Sequence, residues 1–298
     1  MTPTEPAVHV SRLSKSYGDF DAVTEVSFDI QPGETFALLG PNGAGKSSTI
    51  EILEGYRDRS AGDVSVLGTD PQYGGLDWKA RIGIVLQSSG ESGNATVSEQ
   101  LRHFAGLYPH PRSVDEVIAA VGLEAKAKTR IHKLSGGQQR RVDVALGVIG
   151  RPELLFLDEP TTGFDPEARH QFWDLIRSLK ADGTSILLTT HNLDEAAALS
   201  DRAGIIVGGK LIDIGTIDEL GGPAARTPMV RWRDGSGGPQ ERRTETPAQL
   251  VAELAAASGG EPAELQVIRP SLEDIYLGLV RRHAATTTTT SPTAEVFA

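Results

Sequence analysis

The chain has 298 residues, of which 39% are apolar and 23% charged, so it is long enough for one large domain, or a domain with a small appendage, around a buried core. Because the sequence has no cysteine, it excludes a disulfide framework and any metal site built from thiolates. The net charge of −11 argues against a nucleic-acid-binding protein, which needs a basic surface to contact phosphates.

The sequence contains no evident membrane-targeting or membrane-spanning segment. Its first ten residues, MTPTEPAVHV, lack the basic and apolar regions of a signal peptide. The longest apolar runs, such as ELLFLDE and SILLTT, are far shorter than the roughly 20 residues that cross a bilayer. We therefore expect any role at a membrane to depend on a partner protein.

The N-terminal part predicts a strand, a glycine-rich loop and a helix in succession. VHVSRLSKSY alternates apolar and polar residues, as a half-buried strand does. TFALLG is a short apolar run that predicts a buried strand, and SSTIEILEGY has helical spacing. Between them lies GPNGAGKSS, at residues 40–48. Strand, loop and helix in this order are the context that a phosphate-binding P-loop requires.

Later apolar runs predict four more buried strands, at RIGIVLQ, ELLFLDE, SILLTT and GIIVGG. Helical patterns such as PEARHQFWDLIRSLKAD separate some of these runs, and this alternation indicates an α/β fold with a mostly parallel sheet. Residues 95–133 contain no comparable run and are expected to be mainly helical.

The composition changes near GGPAARTP, at residues 221–228, and the following segment predicts a small α+β appendage over residues 221–283. MVRWRD and ELQVI are typical of strands, whereas PAQLVAELAAAS and SLEDIYLGLV are typical of amphipathic helices. The low-complexity ending, residues 284–298, is expected to be disordered.

The loop at residues 40–48 matches the pattern G-x-x-x-x-G-K-[ST] through Gly40, Gly45, Lys46 and Ser47. The glycines let backbone N–H groups turn toward phosphate oxygens, and the following helix presents its positive end to the same anion. Lys46 adds a full charge, and Ser47 offers a hydroxyl to Mg²⁺. A chance glycine-rich turn is the alternative, and the flanking strand and helix argue against it.

A carboxylate that can hold the far side of the metal follows the apolar run LLFL. Asp158 is expected at the end of that buried strand, where a site can open. Glu159 comes next and is predicted to orient and deprotonate an attacking water as a general base. The alternative for Glu159 is a surface carboxylate in a turn.

Three more residues occupy positions from which they can face the same site. His191 and Gln87 each end an apolar run, and Tyr17 follows the first predicted strand. By residue type alone, His191 fits a structural role better than a catalytic one, Gln87 can ligate Mg²⁺ or cap a turn, and Tyr17 can stack on a base or pack in the core.

A second glycine motif, LSGGQQRR at residues 134–141, also looks like an anion cradle at the start of a helix. In chain order the motifs resemble the ATP-binding cassette (ABC) family over about residues 8–220. They comprise the Walker A loop GPNGAGKSS, the Q-loop residue Gln87, the signature LSGGQ, the Walker B strand LLFLDE, the D-loop around TTGFDP, the switch residue His191 and the A-loop aromatic Tyr17.

The resemblance implies a P-loop NTPase-type nucleotide-binding domain over residues 8–220, with a helical subdomain at about residues 88–140. In this family two cassettes meet head to tail, and each ATP lies between the P-loop of one subunit and the signature of the other. This arrangement explains why one domain carries two anion cradles. The implied nucleotide contacts are Tyr17, Gly40, Pro41, Asn42, Gly43, Ala44, Gly45, Lys46, Ser47 and Ser48 from one subunit and Ser135, Gly136, Gly137 and Gln138 from the other.

The family pattern also implies a chemical role for single residues. Lys46 would bind the β- and γ-phosphates, Glu159 would activate water, and His191 would hold the γ-phosphate. The residues implied to serve Mg²⁺ are Ser47, Gln87 and Asp158.

Two further segments are implied to contact other subunits. In the D-loop, Asp165 would link the two ATP sites, and Phe164 stands where Leu is usual, so we expect altered packing at the dimer interface without loss of chemistry. The Gly- and Ser-rich segment SSGESGNATVS, after Gln87, lies where the family meets the coupling helix of the membrane subunit.

The ending PSLEDIYLGLV resembles cassettes of daunorubicin- and multidrug-type exporters, although a dimer-stabilising helix is the simpler interpretation and is compatible with it. The resemblance implies an ATPase that uses ATP and Mg²⁺, forms a homodimer, and drives a separately encoded permease from the cytoplasmic side of the cell membrane.

The main alternative is a soluble cassette protein acting in translation or DNA repair. Translation-type members usually carry two cassettes in one chain. Repair-type members insert a long coiled coil between the Walker A loop and the signature, and the span from Lys46 to Leu134 has no sustained heptad pattern. A catalytically idle regulatory cassette is disfavoured because the expected Lys, Asp, Glu and His are all present.

Overall fold

The structure is a computed structural model that describes residues 5–86 and 94–288. The chain divides into two compact units, Met1–Ile217 and Asp218–Ala298, so the division falls slightly before the boundary expected at residue 220. Gln87 and residues 88–93 of the expected coupling segment lie outside the described residues, as do residues 289–298 of the expected tail.

A six-stranded sheet forms the centre of the first unit. Its strands are β3 (Thr35–Leu39), β5 (Ile82–Val85), β6 (Leu154–Asp158), β7 (Ser185–Thr190), β8 (Arg202–Val207) and β9 (Lys210–Thr216). The spatial order is β5-β6-β7-β3-β8-β9, and all neighbours pair in parallel except β8 and β9. Every residue of β3 and β7 is buried, which is why the central strands are continuous apolar runs. The mostly parallel α/β sheet is therefore confirmed.

A second, antiparallel sheet was not predicted. It consists of β1 (Val8–Tyr17), β2 (Phe20–Ile30) and β4 (Ala61–Val66), in the order β2-β1-β4. Its apolar side chains and those of the parallel sheet share one core, where the rings of Phe28 in β2 and Phe36 in β3 stack with centroids 5.2 Å apart.

Seven α-helices complete the first unit over its described residues. They are α1 (Lys46–Leu53), α2 (Leu76–Lys79), α3 (Val97–Ala105), α4 (Val114–Ala120), α5 (Gly136–Val148), α6 (Pro166–Ala181) and α7 (Leu193–Leu199). Short 3-10 helices occur at Pro71–Tyr73, Glu124–Lys126 and Ile131–Lys133. No strand element occurs in the described span from residue 95 to residue 133, as expected. Helix α5 packs on β5 and also on α3 and α4, so it connects the helical region to the sheet.

The second unit contains α8 (Gly222–Arg226), β10 (Met229–Arg233), β11 (Pro239–Arg243), α9 (Pro247–Ser258), β12 (Gln266–Ile268) and α10 (Leu272–Thr288). Its antiparallel sheet has the order β11-β10-β12, with α9 packed on β10. Helix α10 continues to Thr288, beyond the appendage boundary expected at residue 283. Over the described residues, no helix has both the length and the apolar character that crossing a bilayer demands.

Candidate functional site

The P-loop connects β3 to α1 and requires glycine in its backbone. Gly43 and Gly45 have φ angles of 77° and 103°, in the left-handed region that favours glycine. A Cβ at Gly45 would also lie 2.3 Å from the carbonyl oxygen of Ala22, so the loop packs closely on β2. Helix α1 has no side-chain cap at its N-terminus, which leaves its first N–H groups suited to bind phosphate.

Lys46, the first residue of α1, is held inside the P-loop. Its Nζ donates hydrogen bonds to the carbonyl oxygens of Gly40 (2.8 Å) and Pro41 (3.1 Å), and the residue is only 5% exposed. Burial lowers the pKa of Lys46, and the negative charges of Glu159 and Asp158 oppose this shift. The structure thus brings the predicted lysine into electrostatic contact with both predicted carboxylates.

Asp158 ends β6 and is positioned by the neighbouring strand. It pairs in register with Thr189 of β7, whose Oγ1 donates a 2.5 Å hydrogen bond to Oδ1 of Asp158. This hydroxyl fixes the carboxylate at the edge of the sheet where the P-loop lies. Thr189 is a positioning residue that sequence reasoning missed; the only signal for it is a hydroxyl residue near the end of an apolar run.

Glu159 follows Asp158 in a constrained backbone conformation. Its φ angle is 46°, which is uncommon outside glycine and occurs often at functional sites. Its N–H donates to the carbonyl oxygen (3.1 Å) and to Oγ1 (3.2 Å) of Thr189. These contacts hold the Glu159 backbone against the end of β7.

His191 lies directly after β7. Its Nδ1 lies 3.4 Å from Oε1 of Glu159, and its side chain is 59% exposed while that of Glu159 is 11% exposed. A carboxylate next to an accessible imidazole can orient a water molecule and relay a proton. By residue type alone His191 fits a structural role better, whereas the family resemblance implies a catalytic one, and the catalytic role stays a prediction.

Tyr17, at the end of β1, lies beside the P-loop helix. Its hydroxyl is 3.4 Å from Oγ of Ser48, and the cationic groups of Lys15 and Arg57 lie 5.0 Å and 5.4 Å from its ring centroid. The ring is 39% exposed. This position is compatible with contact to a nucleotide base, and the stacking role stays a prediction.

The second glycine motif forms the N-terminus of α5. Ser135 caps this helix: its Oγ accepts from the N–H of Gln138 (3.3 Å), and Oε1 of Gln138 accepts from the N–H of Ser135 (3.1 Å). Ser135 and Gly136 are exposed, and a Cβ at Gly136 or Gly137 would meet no described atom within 4 Å. The motif therefore forms an open helix N-terminus on the surface of the first unit, and anion binding there stays a prediction.

The two D-loop residues make contacts within the first unit. Asp165 caps α6 by accepting a 2.7 Å hydrogen bond from the N–H of Ala168. Phe164 is 7% exposed and packs edge-on against Phe172, with centroids 5.9 Å apart. The aromatic ring expected to alter a dimer interface is thus buried against its own chain, and the link between sites through Asp165 stays a prediction.

The residues expected to hold Mg²⁺ are oxygen donors, as this cation prefers. Ser47 is exposed in the first turn of α1, and Asp158 lies at the adjacent strand end. Among the described residues, no three His, Asp or Glu side chains converge into a metal cluster. A serine hydroxyl and an aspartate carboxylate are donors that fit a cation bringing phosphate and water ligands with it, in the manner of Mg²⁺ bound to a nucleotide.

Comparison with known proteins identifies the family. The ABC transporter family model matches residues 23–162. Nod factor export ATP-binding protein I of Rhizobium johnstonii is 38% identical over 301 residues, which cover 93% of this chain and 95% of the relative. The probable multidrug ABC transporter ATP-binding protein YbhF of Escherichia coli is 39% identical over 74% of this chain and 39% of its own length.

A solved structure described as the ATP binding subunit of an ABC transporter has the same fold. It superimposes with a TM-score of 0.66 at 28% identity and covers 72% of this chain and 91% of its own. With the motifs assembled at one sheet edge and near full-length relatives, the chain belongs to the ABC transporter family and is an ATP-binding subunit that hydrolyses ATP.

Proposed function

We propose that the chain powers export through a separately encoded membrane permease, to which it binds on the cytoplasmic side of the cell membrane. The relatives are named for Nod factor export and for multidrug transport, and the first of them aligns beyond the nucleotide-binding unit into the C-terminal one. These names support transport and do not favour the alternative of a soluble cassette in translation or DNA repair. The absence of a basic excess, with a net charge of −11, agrees with a function without nucleic acid.

Within one subunit, the chemistry is assigned to the residues at the carboxyl edge of the parallel sheet. The P-loop amides and Lys46 bind the β- and γ-phosphates, and Glu159 takes a proton from the attacking water. His191 orients Glu159 and contacts the γ-phosphate. Tyr17 receives the base, and Asn42 and Ser48 contribute to the walls of the cradle.

We assign Mg²⁺ to the oxygen donors Ser47 and Asp158, together with Gln87, which lies outside the described residues. When bound, the cation neutralises charge on the phosphate oxygens. The protein contributes orientation, because Thr189 holds the Asp158 carboxylate through a 2.5 Å hydrogen bond.

The observation that carries the proposal is that one unit has two glycine-containing helix N-termini, and helix N-termini are suited to bind anions. Helix α1 presents the P-loop with Lys46, and α5 presents the exposed Ser135 and Gly136, followed by the half-buried Gly137. In a head-to-tail homodimer, the α5 cradle of one subunit completes the phosphate site of the other. Two ATP molecules would then hold the dimer, and loss of the γ-phosphate contacts would loosen it.

An exposed apolar surface near β5 suits the membrane partner. Leu76 and Leu107 are 85% and 67% exposed and line one cavity of about 660 Å³ together with Tyr108 and Pro109. Leu86, two residues before the segment expected to meet the permease, is 55% exposed. We assign this cavity to a short cytoplasmic helix of the permease, because exposed leucines around a concavity are typical of helix-binding grooves.

Two measurements test the proposed function. Lys46→Ala and Ser135→Arg subunits should each be inactive alone, whereas their mixture should regain ATP binding at one composite site. Leu76→Asp or Leu107→Asp should keep the basal ATPase activity and lose copurification with its membrane permease. Copurification with ribosomes or DNA, and not with that membrane protein, would contradict transport.

A further inference from the structure

A buried arginine of the signature helix contacts the backbone of the catalytic edge. Arg140, in α5, is only 6% exposed. Its Nε donates to the carbonyl oxygen of Pro160 (3.1 Å), its Nη2 to that of Asp158 (2.9 Å), and its Nη1 to that of Leu86. One guanidinium therefore joins α5 to the end of β5, to the end of β6 and to the turn after Glu159.

These three carbonyl groups belong to residues assigned to catalysis or metal binding, or to their direct neighbours in the chain. Asp158 is the metal-side carboxylate, and Glu159 lies between two of the carbonyl groups that Arg140 holds. Leu86 directly precedes Gln87. A shift of the Arg140 side chain would consequently move the backbone on both sides of the general base.

The charge of Arg140 is maintained in spite of its burial. Burial lowers the pKa of Arg140, and the negative charges of Asp143, Asp158 and Glu195 oppose this shift. The carboxylate of Asp143 lies 3.9 Å from Nη1. A planar guanidinium can donate in three directions at once, whereas a lysine ammonium on a flexible stem cannot reproduce this fork.

The same helix begins with the cradle proposed for the ATP of the other subunit. Arg140 follows Ser135 by five residues, so the two are separated by about 7.5 Å along the axis of α5. The helix is capped and continuous between them. A movement of the cradle toward a phosphate group is therefore transmitted to the guanidinium as a displacement of one rigid element.

Arg141, the next residue, provides a matched control. Its guanidinium donates to the carbonyl oxygen of Val121 (3.4 Å) and to Oε1 of Gln171 (2.7 Å). These acceptors lie in the helical region and on α6, away from the Walker B strand. Both arginines share one helix and one charge, and only Arg140 contacts the catalytic edge.

We infer that Arg140 is a positioning residue that couples the two ATP sites of the dimer: it relays the occupancy of the partner's P-loop, sensed at Ser135, to Asp158 and Glu159 of its own subunit. This inference depends on the head-to-tail dimer of the proposed function. A contact in the structure does not by itself demonstrate coupling between two sites. The test must therefore measure how ATP at one site changes turnover at the other.

The test uses full-length mixed dimers, separated by two affinity tags, in which only one subunit hydrolyses ATP. The partner carries either Glu159→Gln, which retains ATP, or Lys46→Ala, which does not bind it. The ratio of the two turnover rates measures how strongly ATP at the partner site activates the working site. We expect at least a fivefold ratio for the otherwise unchanged working subunit.

Arg140→Gln in the working subunit should lower this ratio to below about twofold, Arg140→Lys should restore it only in part, and Arg141→Gln should leave it unchanged. A merely structural role for Arg140 would lower both rates equally and preserve the ratio. A preserved ratio with Arg140→Gln would overturn the inference alone. A ratio near one in the unchanged dimer would overturn the inference as well, whereas chains that form no mixed dimer with ATP would overturn the dimeric proposed function.

Discussion

Oε1 of Glu159 lies 3.4 Å from Nδ1 of His191, across the ends of the neighbouring parallel strands β6 and β7. The strand register produces this approach, because Asp158 pairs with Thr189, and Glu159 and His191 each directly follow their own strand. A mostly buried carboxylate thus lies next to an exposed imidazole, at the edge of the sheet that carries the P-loop. Two predictions concern this pair.

Glu159→Gln is expected to lower ATP turnover by about 10²–10⁴-fold, because the amide cannot accept the proton of the attacking water. ATP binding should persist, since the P-loop and Lys46 are unchanged. Steady-state ATPase assays and equilibrium nucleotide binding check the two halves of this prediction. Turnover near that of the unsubstituted protein would show that Glu159 is not the base.

His191→Ala is expected to reduce kcat by roughly 10–100-fold with little change in the KM for ATP, because Glu159 loses the side chain that orients it. His103→Ala is the control, since His103 is an exposed residue of α3. Equal effects of the two substitutions would assign His191 a general structural role.

Glu54 should make the stability of the protein depend on pH. It ends α1, is 5% exposed, and has its pKa raised from an ordinary 4.5 to about 8 by burial, with smaller contributions from the charges of Asp158 and Glu51. The folded protein retains this proton where the unfolded chain has lost it. The free energy of unfolding therefore falls as the pH rises from about 4.5 to 8.

Glu54→Gln removes that ionisation. We expect it to raise the free energy of unfolding at pH 8 by roughly 1–3 kcal/mol and to have little effect near pH 4.5. Urea denaturation at the two pH values measures the difference. A uniform change at both values would show that Glu54 ionises freely in the folded protein.

The two left-handed glycines of the P-loop should differ in their tolerance of a methyl group. Gly43→Ala meets only backbone strain, about 1 kcal/mol, because no described atom lies within 4 Å of its Cβ. Gly45→Ala adds a 2.3 Å approach to the carbonyl oxygen of Ala22. We expect Gly45→Ala to lower the Tm more than Gly43→Ala and to abolish nucleotide binding. A similar Tm for both variants would contradict the close packing of this loop on β2.

The buried strands of the central sheet are predictable from sequence because each is a short run of apolar residues. The strands missed by sequence analysis lack that pattern. Strand β2 is one of them: its register against β1 shifts at three places, which interrupts the regular alternation of apolar and polar residues. All five residues of β11, PQERR, are exposed, so no apolar side chain marks it as a strand.

At the site, too, residues that belong to a sequence pattern could be predicted and residues without such a pattern could not. Lys46, Asp158, Glu159 and His191 follow from motifs and from their positions at strand ends. Arg140 acts on backbone carbonyl groups, and a carbonyl acceptor has no residue type by which sequence can reveal it. Glu54 could not be predicted either, because a glutamate at a helix end is ordinarily exposed.

Cross-linking between subunits tests the central claim most directly, because the chain has no cysteine that would interfere. One protomer carries Asn42→Cys on the exposed P-loop and the other Gly136→Cys on the exposed α5 cradle, both in a Glu159→Gln background. With ATP and a short bismaleimide, we predict a covalent dimer that forms only in the mixture. A cross-link that forms within single chains carrying both cysteines, without any dimer in the mixture, would contradict the composite ATP site.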